Sequence, residues 1–137
     1  MRTYALDANA LLIFLLDRPG ANRVTRILQQ AKGRELQALM SAVNWGEVVY
    51  SLWKIRGEAE ARKLIQRVEQ LPLTVIPADS ERAMRAGELK AIHRLGYADS
   101  FAAGLALELG ATLITADPEF KKIGRKLKVE FLPRYES

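Results

Sequence analysis

The chain has 137 residues, 49% hydrophobic and 27% charged, a composition typical of one globular domain that spans residues 1–137. It contains no cysteine, which excludes disulfides and thiolate metal sites. Its longest wholly apolar run, residues 10–16, is far shorter than the roughly 20 residues of a membrane span. We therefore expect a cytoplasmic protein without membrane attachment.

In chain order, short β-type runs alternate with longer helical patterns. We predict strands at 3–6, 36–41, 73–76, 112–115 and 128–132, and helices at 8–16, 43–55, 58–70, 80–95 and 97–109. One further helix carries the apolar stripe Val24, Ile27, Leu28 and Ala31 and ends at Gly33. Strands separated by helices indicate parallel crossovers and an α/β sandwich.

Four acidic residues recur where the predicted strands end or where a helix begins. Asp7 directly follows the first strand, and Asp117 comes two residues after the fourth. Glu47 lies six residues past the second strand, and Asp99 lies in the first turn of a helix. Ligands of parallel α/β sheets bind outside the carboxyl ends of the strands. We therefore expect these acids to converge at one edge of the sheet.

Helix capping is the alternative explanation for each acid. Asp7 and Asp117 are suitable N-caps, the latter because a proline follows it. Asn44 and Glu47 have the spacing of a capping box, and Asp99 suits the positive end of its helix. Capping explains each residue separately, but it does not explain why four acids occur at corresponding ends of the βα units.

A divalent cation would explain the grouping, because close carboxylates repel one another strongly. Mg²⁺ or Mn²⁺ prefers oxygen ligands, and such a site suits phosphodiester hydrolysis by activating water and polarising the phosphoryl group. The charge of the chain is also consistent with a nucleic-acid substrate. Outside the four acids, 21 basic residues stand against 12 of the 16 acidic ones, so the rest of the chain is strongly cationic. A cationic surface attracts nucleic acid, although many small soluble proteins are basic without such a partner.

Three sequence blocks resemble those of the PIN domain, specifically of VapC-type toxins. They are ALDANAL, SAVNWGEVVY and YADSFAAGLALELGATLITADPEF, and the resemblance extends in order from residue 3 to about residue 131. It implies that an acidic quartet binds Mg²⁺ or Mn²⁺ and catalyses hydrolysis. It also implies that three small polar residues support the quartet. The quartet is Asp7, Glu47, Asp99 and Asp117, and the supporting residues are Asn9, Ser100 and Thr115.

The resemblance further implies a PIN-like three-layer sandwich, in which helices flank a central parallel sheet of about five strands. The implied activity is that of a metal-dependent endoribonuclease, the toxin of a type II toxin–antitoxin pair. The implied partners are RNA, a cognate VapB-like antitoxin and a second copy of the chain.

Two other functions remain open at this stage. One is a phosphatase with an aspartate nucleophile after the first strand, although that chemistry favours a second acid at position 9, where Asn9 stands. The other is a domain that binds RNA or a partner without catalysis, in which the acids are only helix caps.

Two further segments have candidate binding roles. The stretch EFKKIGRKLK follows Asp117 and is rich in basic residues, including Lys121, Lys122, Arg125 and Lys126. These residues could bind a phosphate backbone. The alternative is an ordinary solvated face. The helix at 8–16 is apolar all round, so we expect some of its large residues in the core and others at an interface; these residues are Leu11, Leu12, Phe14 and Leu15.

Overall fold

Five parallel strands form one sheet in the computed structural model, which describes residues 1–133. The predicted domain also includes residues 134–137, which lie outside the described residues. The strands are β1 (Arg2–Leu6), β2 (Leu36–Ser41), β3 (Thr74–Ile76), β4 (Thr112–Thr115) and β5 (Val129–Phe131), in the spatial order β3-β2-β1-β4-β5. The predicted parallel α/β sandwich is confirmed.

Six α-helices connect these strands, together with one 3₁₀ segment. They are α1 (Ala8–Leu15), α2 (Ala21–Lys32), α3 (Ala42–Arg56), α4 (Glu58–Glu69), α5 (Ser80–His93) and α6 (Tyr97–Leu109), and the 3₁₀ segment is Pro118–Lys126. The predicted bounds agree to within two residues. Within residues 1–133, no helix is long and apolar enough to cross a membrane.

The 3₁₀ segment was anticipated only at its start, where Asp117 and the proline after it were recognised as a possible N-cap. Its two buried side chains, Phe120 and Ile123, are three residues apart, which matches the three-residue turn of a 3₁₀ helix. Gly124 breaks the segment with a positive φ of 80°, a conformation that glycine adopts readily. The segment was not predicted as a helix because its buried residues are spaced by three and Gly124 interrupts it, so the spacing typical of an α-helix is missing.

The two faces of the sheet carry separate cores, which makes the fold three-layered. On β1, Tyr4 and Leu6 pack with α1, α2, α3 and α4, whereas Ala5 packs with α6 and the 3₁₀ segment. Helix α5 packs on α6. Successive side chains of a strand point to opposite faces, so a strand covered on both sides is apolar throughout.

Helix α1 belongs mainly to the first of these cores. Leu11, Leu12 and Leu15 are buried, which confirms the core role expected for part of this helix. Phe14 is only half-buried, and the guanidinium of Arg67 lies 4.9 Å from the centre of its ring. The apolar character of α1 is therefore explained largely by packing within the chain.

The order in which strands are added to the sheet reverses between β1 and β4, although the strands themselves are parallel. From β1 the strands proceed outward through β2 to β3, and the chain then returns to place β4 on the other side of β1. The backbone N–H of Asp7 donates to the carbonyl of Ile114 at 3.2 Å, which ties the ends of the two strands together. Ligand sites of open α/β sheets lie at such a topological switch point. Asp7 and Asp117 flank it.

Candidate functional site

Asp7 is a buried acid at the carboxyl end of β1. It is 3% exposed, and it is the N-cap of α1, with Oδ1 accepting from the N–H of Ala10 at 2.9 Å. Its Oδ2 accepts from the hydroxyl of Thr115. Burial, and to a smaller extent the charges of Asp99 and Asp117, raises the pKa of Asp7 to about 7 against the effect of these two hydrogen bonds. The capping interpretation is therefore correct, but capping leaves Asp7 an ionisable group with a large desolvation penalty.

Asp117 is connected to Asp7 through a single hydroxyl group. The backbone N–H of Asp117 donates to Oγ1 of Thr115 at 3.0 Å, and the same Oγ1 donates to Asp7. Thr115 is fully buried at the end of β4. Asp117 also caps the 3₁₀ segment, because its Oδ1 accepts from the N–H of Glu119 at 2.9 Å. Thr115 thus fixes the positions of the first and fourth acids relative to each other.

Asp99 is half-buried in the first turn of α6. Burial raises its pKa to about 6, and the negative charges of Asp117, Glu47 and Glu119 add to the effect. Gly96 lies against its carboxylate, since a Cβ at position 96 would lie 3.3 Å from Oδ2 of Asp99. The sequence indicates that Gly96 precedes the helix, but it gives no sign of this close approach.

Glu47 is exposed on α3, and its surroundings correct one prediction. Oε1 accepts from Nδ2 of Asn44 at 3.3 Å, but the two residues do not form a capping box. The N-cap of α3 is Ser41, whose Oγ accepts from the N–H of Val43 at 3.2 Å. Helix α3 therefore begins two residues before Asn44. The capping box was wrong because the serine at the end of β2 provides the cap first.

The charges of neighbouring acids of the quartet act on two of its members, Asp7 and Asp99. The charges of Asp99 and Asp117 raise the pKa of Asp7, and the charges of Asp117 and Glu47 raise the pKa of Asp99. Within residues 1–133, no three acidic, histidine or cysteine side chains are gathered closely enough to coordinate a metal ion. Close carboxylates disfavour one another's ionisation when no cation offsets their charge. The donors are all carboxylate oxygens, the type that Mg²⁺ and Mn²⁺ prefer, and the exposed Glu47 side chain has room to reorient. The residues therefore fit such an ion chemically.

Two of the three small polar residues form no side-chain hydrogen bond with an acid of the quartet within residues 1–133. Asn9 is exposed, and no hydrogen bond joins it to an acid in the described part of the chain. Ser100 is fully buried, and its hydroxyl donates to the carbonyl of Gly96 at 2.9 Å. Ser100 thus stabilises the first turn of α6, and it acts on Asp99 only through the backbone.

The basic residues after Asp117 are partly engaged within the protein. Lys122 forms an ion pair with Glu119 and donates to the carbonyl of Arg94 at 3.3 Å. The ammonium of Lys121 lies 5.3 Å from the ring centre of Phe131. All four candidates are exposed, Arg125 and Lys126 included. Two of the four basic residues are thus engaged within the protein, and the region is partly an ordinary folded surface.

Replacing Thr115 by valine is expected to destabilise the protein by about 1–3 kcal/mol, because a buried hydrogen bond is lost at each end. The hydroxyl lowers the pKa of Asp7, so its loss penalises the ionised form most. The unfolding free energy, measured in urea without divalent ions, should therefore fall more at pH 8 than at pH 5. Thr25→Val is the control, because Thr25 donates only to the carbonyl of Ala21 within α2. Equal losses for Thr115→Val at the two pH values would contradict this account.

The comparisons with known proteins place the chain in a family. The profile of the PIN domain matches residues 4–126, and the chain belongs to the PIN domain family. No curated protein matches the chain at a significant level of sequence similarity. The predicted PIN-domain resemblance is thus confirmed.

Solved structures with the same fold include VapBC toxin–antitoxin complexes and a VapC toxin. VapBC2 from Rickettsia felis, bound to a promoter DNA fragment, matches at 21% identity and a TM-score of 0.77, over 95% of this chain and 98% of that one. VapBC-1 from nontypeable Haemophilus influenzae matches at 22% identity and 0.70, over 94% and 97%. VapC20 from Mycobacterium tuberculosis, a sarcin-ricin loop cleaving toxin, matches at 14% identity and 0.72, over 95% and 99%. At these identities the similarity establishes the fold.

Proposed function

We propose that this PIN domain is a Mg²⁺- or Mn²⁺-dependent endoribonuclease with an acidic quartet as its metal site. The observation that carries the proposal is the effect of negative charge from separate parts of the chain on the pKa of Asp7 and on that of Asp99. Burial and neighbouring negative charge raise the pKa of Asp7 to about 7 and that of Asp99 to about 6. Perturbed groups that cluster outside the carboxyl ends of the strands are typical of functional sites.

Each acid has a distinct part in this proposal. Asp7, fixed by two hydrogen bonds, is the ligand with the least freedom to move. Asp99 comes from the first turn of α6, Asp117 from the segment after β4, and Glu47 from α3. A bound divalent ion would supply a Lewis acid for the phosphoryl oxygen and a means of activating water. The exposed Arg125 and Lys126 follow Asp117 in sequence, and their positive charges would attract the RNA backbone.

The biological role that we propose is that of the toxin in a type II toxin–antitoxin pair. Support comes from the structural neighbours, which include VapBC complexes and a toxin–antitoxin complex from Klebsiella pneumoniae. The proposed partners are therefore a VapB-like antitoxin and a second copy of the chain, in the cytoplasm. One neighbour, VapC20, cleaves the sarcin-ricin loop, and RNA loops present the unstacked bases that proteins recognise.

The test compares structured RNA with a generic phosphomonoester, each with Mn²⁺ and with EDTA. The proposal predicts internal cleavage of the RNA that EDTA abolishes and that excess Mn²⁺ restores. Turnover of the monoester with intact RNA would instead assign the phosphatase chemistry. Binding of RNA without any cleavage, whether or not Mn²⁺ is present, would favour a binding domain whose acids are helix caps.

A further inference from the structure

Asn44 is a buried amide that connects two elements carrying acids of the quartet. It is 1% exposed in α3. Its Nδ2 donates to Oε1 of Glu47 at 3.3 Å and to the backbone carbonyl of Ala98 at 3.1 Å. Ala98 immediately precedes Asp99 in α6. One amide group therefore joins the second acid to the backbone beside the third, and the residue that carries it is 54 residues from Ala98 in sequence.

The two acceptors determine the orientation of this amide. Asparagine has donors on nitrogen only, so reversing the group would direct its oxygen at a carboxylate and a carbonyl, both of which are acceptors. The amide oxygen, Oδ1, is buried and accepts no hydrogen bond from the described part of the chain. An unsatisfied buried acceptor carries a free-energy penalty. Asn44 therefore gains its two contacts at some expense to the stability of the metal-free protein.

The contact with Glu47 matters because this acid is otherwise unrestrained. Glu47 is exposed, and an exposed glutamate loses rotamer freedom when it binds a ligand. Replacing a residue that hydrogen-bonds to a metal ligand, without contacting the metal itself, typically lowers metal affinity by about 10–100-fold. The bond to Ala98 adds a second restraint, because it fixes the separation of α3 from the first turn of α6.

We propose that Asn44 is a positioning residue for the metal site, which orients Glu47 toward Asp99 by bridging α3 and α6. The inference rests on the proposed function, since it takes the quartet as a cation site. Asn44 contacts neither substrate nor ion in this role. It acts through Glu47 and the backbone of Ala98.

The test is Asn44→Leu, which keeps a similar shape and volume but removes both hydrogen bonds and the unsatisfied oxygen. Mn²⁺ binding is followed by titration calorimetry, and the melting temperature is measured without metal. We expect an unchanged or higher melting temperature in EDTA, together with Mn²⁺ affinity at least about tenfold weaker than that of the wild type. Asn44→Ala is a second variant, with a lower melting temperature and the same loss of affinity.

Ser41→Ala is the matched control, because Ser41 is buried at the start of the same helix and caps it through Val43. It should lower the melting temperature and leave Mn²⁺ affinity unchanged. Wild-type affinity in Asn44→Leu would overturn the inference about Asn44 alone. Failure of both Asn44 variants to fold would assign the residue to stability and also overturn it. A wild type that binds no Mn²⁺ would reject the proposed function as well.

Discussion

Asp7→Asn is expected to reduce Mn²⁺-dependent RNA cleavage by more than about 100-fold while it stabilises the metal-free protein at alkaline pH. The loss of activity follows from the removal of the most rigidly held proposed ligand, which should exceed the effect of replacing a supporting residue. Asparagine is as good an N-cap as aspartate, so the bond from Ala10 is retained. An inactive variant would thus be a folded one.

The stabilisation has a definite pH dependence. The pKa of Asp7 is about 7 in the folded protein, against an ordinary value of 3.8. The folded state therefore binds the proton more tightly than the unfolded state does. The stability that this difference contributes is fully present below about pH 4 and is lost as the pH rises to about 7. This difference in pKa corresponds to roughly 4 kcal/mol. Urea unfolding in EDTA should show Asp7→Asn close to the wild type at pH 4 and more stable by as much as this amount at pH 8.

The control for this prediction is Asp79→Asn. Asp79 caps α5 through the N–H of Arg82 at 2.9 Å, and its side chain is exposed. The same substitution at this cap should leave RNA cleavage unchanged and give a stability difference that varies little between pH 4 and pH 8. An Asp7→Asn protein that cleaves RNA normally, or that is less stable at pH 8 than the wild type, would contradict the role of Asp7.

Millimolar Mn²⁺ is expected to raise the melting temperature of the wild type, because the quartet exists only in the folded state. An ion at 100 times its dissociation constant adds about 2.7 kcal/mol to the unfolding free energy, which for a chain of this size corresponds to about 10 °C. Asp99→Asn should remove most of the increase, since Asp99 is the acid on which the other charges converge. Differential scanning calorimetry with Mn²⁺ and with EDTA measures both.

Glu119→Gln separates coordination from general attraction of a cation. Glu119 also raises the pKa of Asp99 by its charge, but it lies outside the quartet and pairs with Lys122. If the four acids bind the ion directly, Glu119→Gln retains most of the Mn²⁺-dependent increase. Equal losses in Glu119→Gln and Asp99→Asn would mean that the ion is attracted by a diffuse negative field, and the quartet would lose its special status.

The fold was largely predictable because its local signals agree with one another. The strand ends place Asp7 and Asp117 at one edge, and glycines mark where the helices stop. The caps at Asp7 and Asp117 were also visible as candidates, because an acid before a helical pattern is a local feature. Helix capping and membership of the site are compatible, because the carboxylate of Asp7 caps α1 while the charges of other acids raise its pKa.

The details that sequence did not reveal depend on contacts between distant residues. Asn44 looked like a helix-start residue, but its partner Ala98 is 54 residues away. The hydroxyl of Thr115 serves Asp7 across 108 residues as well as its neighbour Asp117. Lys122 resembled a free phosphate-binding cation, yet it is engaged by Glu119. A periodic pattern reports which face of an element is buried, but not which side chain from another element meets it.

The most direct test of the account is anomalous diffraction from crystals of the wild type grown with Mn²⁺. The account predicts a manganese peak outside the carboxyl ends of β1 and β4, within about 2–2.5 Å of carboxylate oxygens from at least Asp7 and Asp99. Glu47 and Asp117 would then lie against the same ion or the water bound to it. A well-ordered site with the four carboxylates facing apart, and manganese bound elsewhere or nowhere, would contradict it.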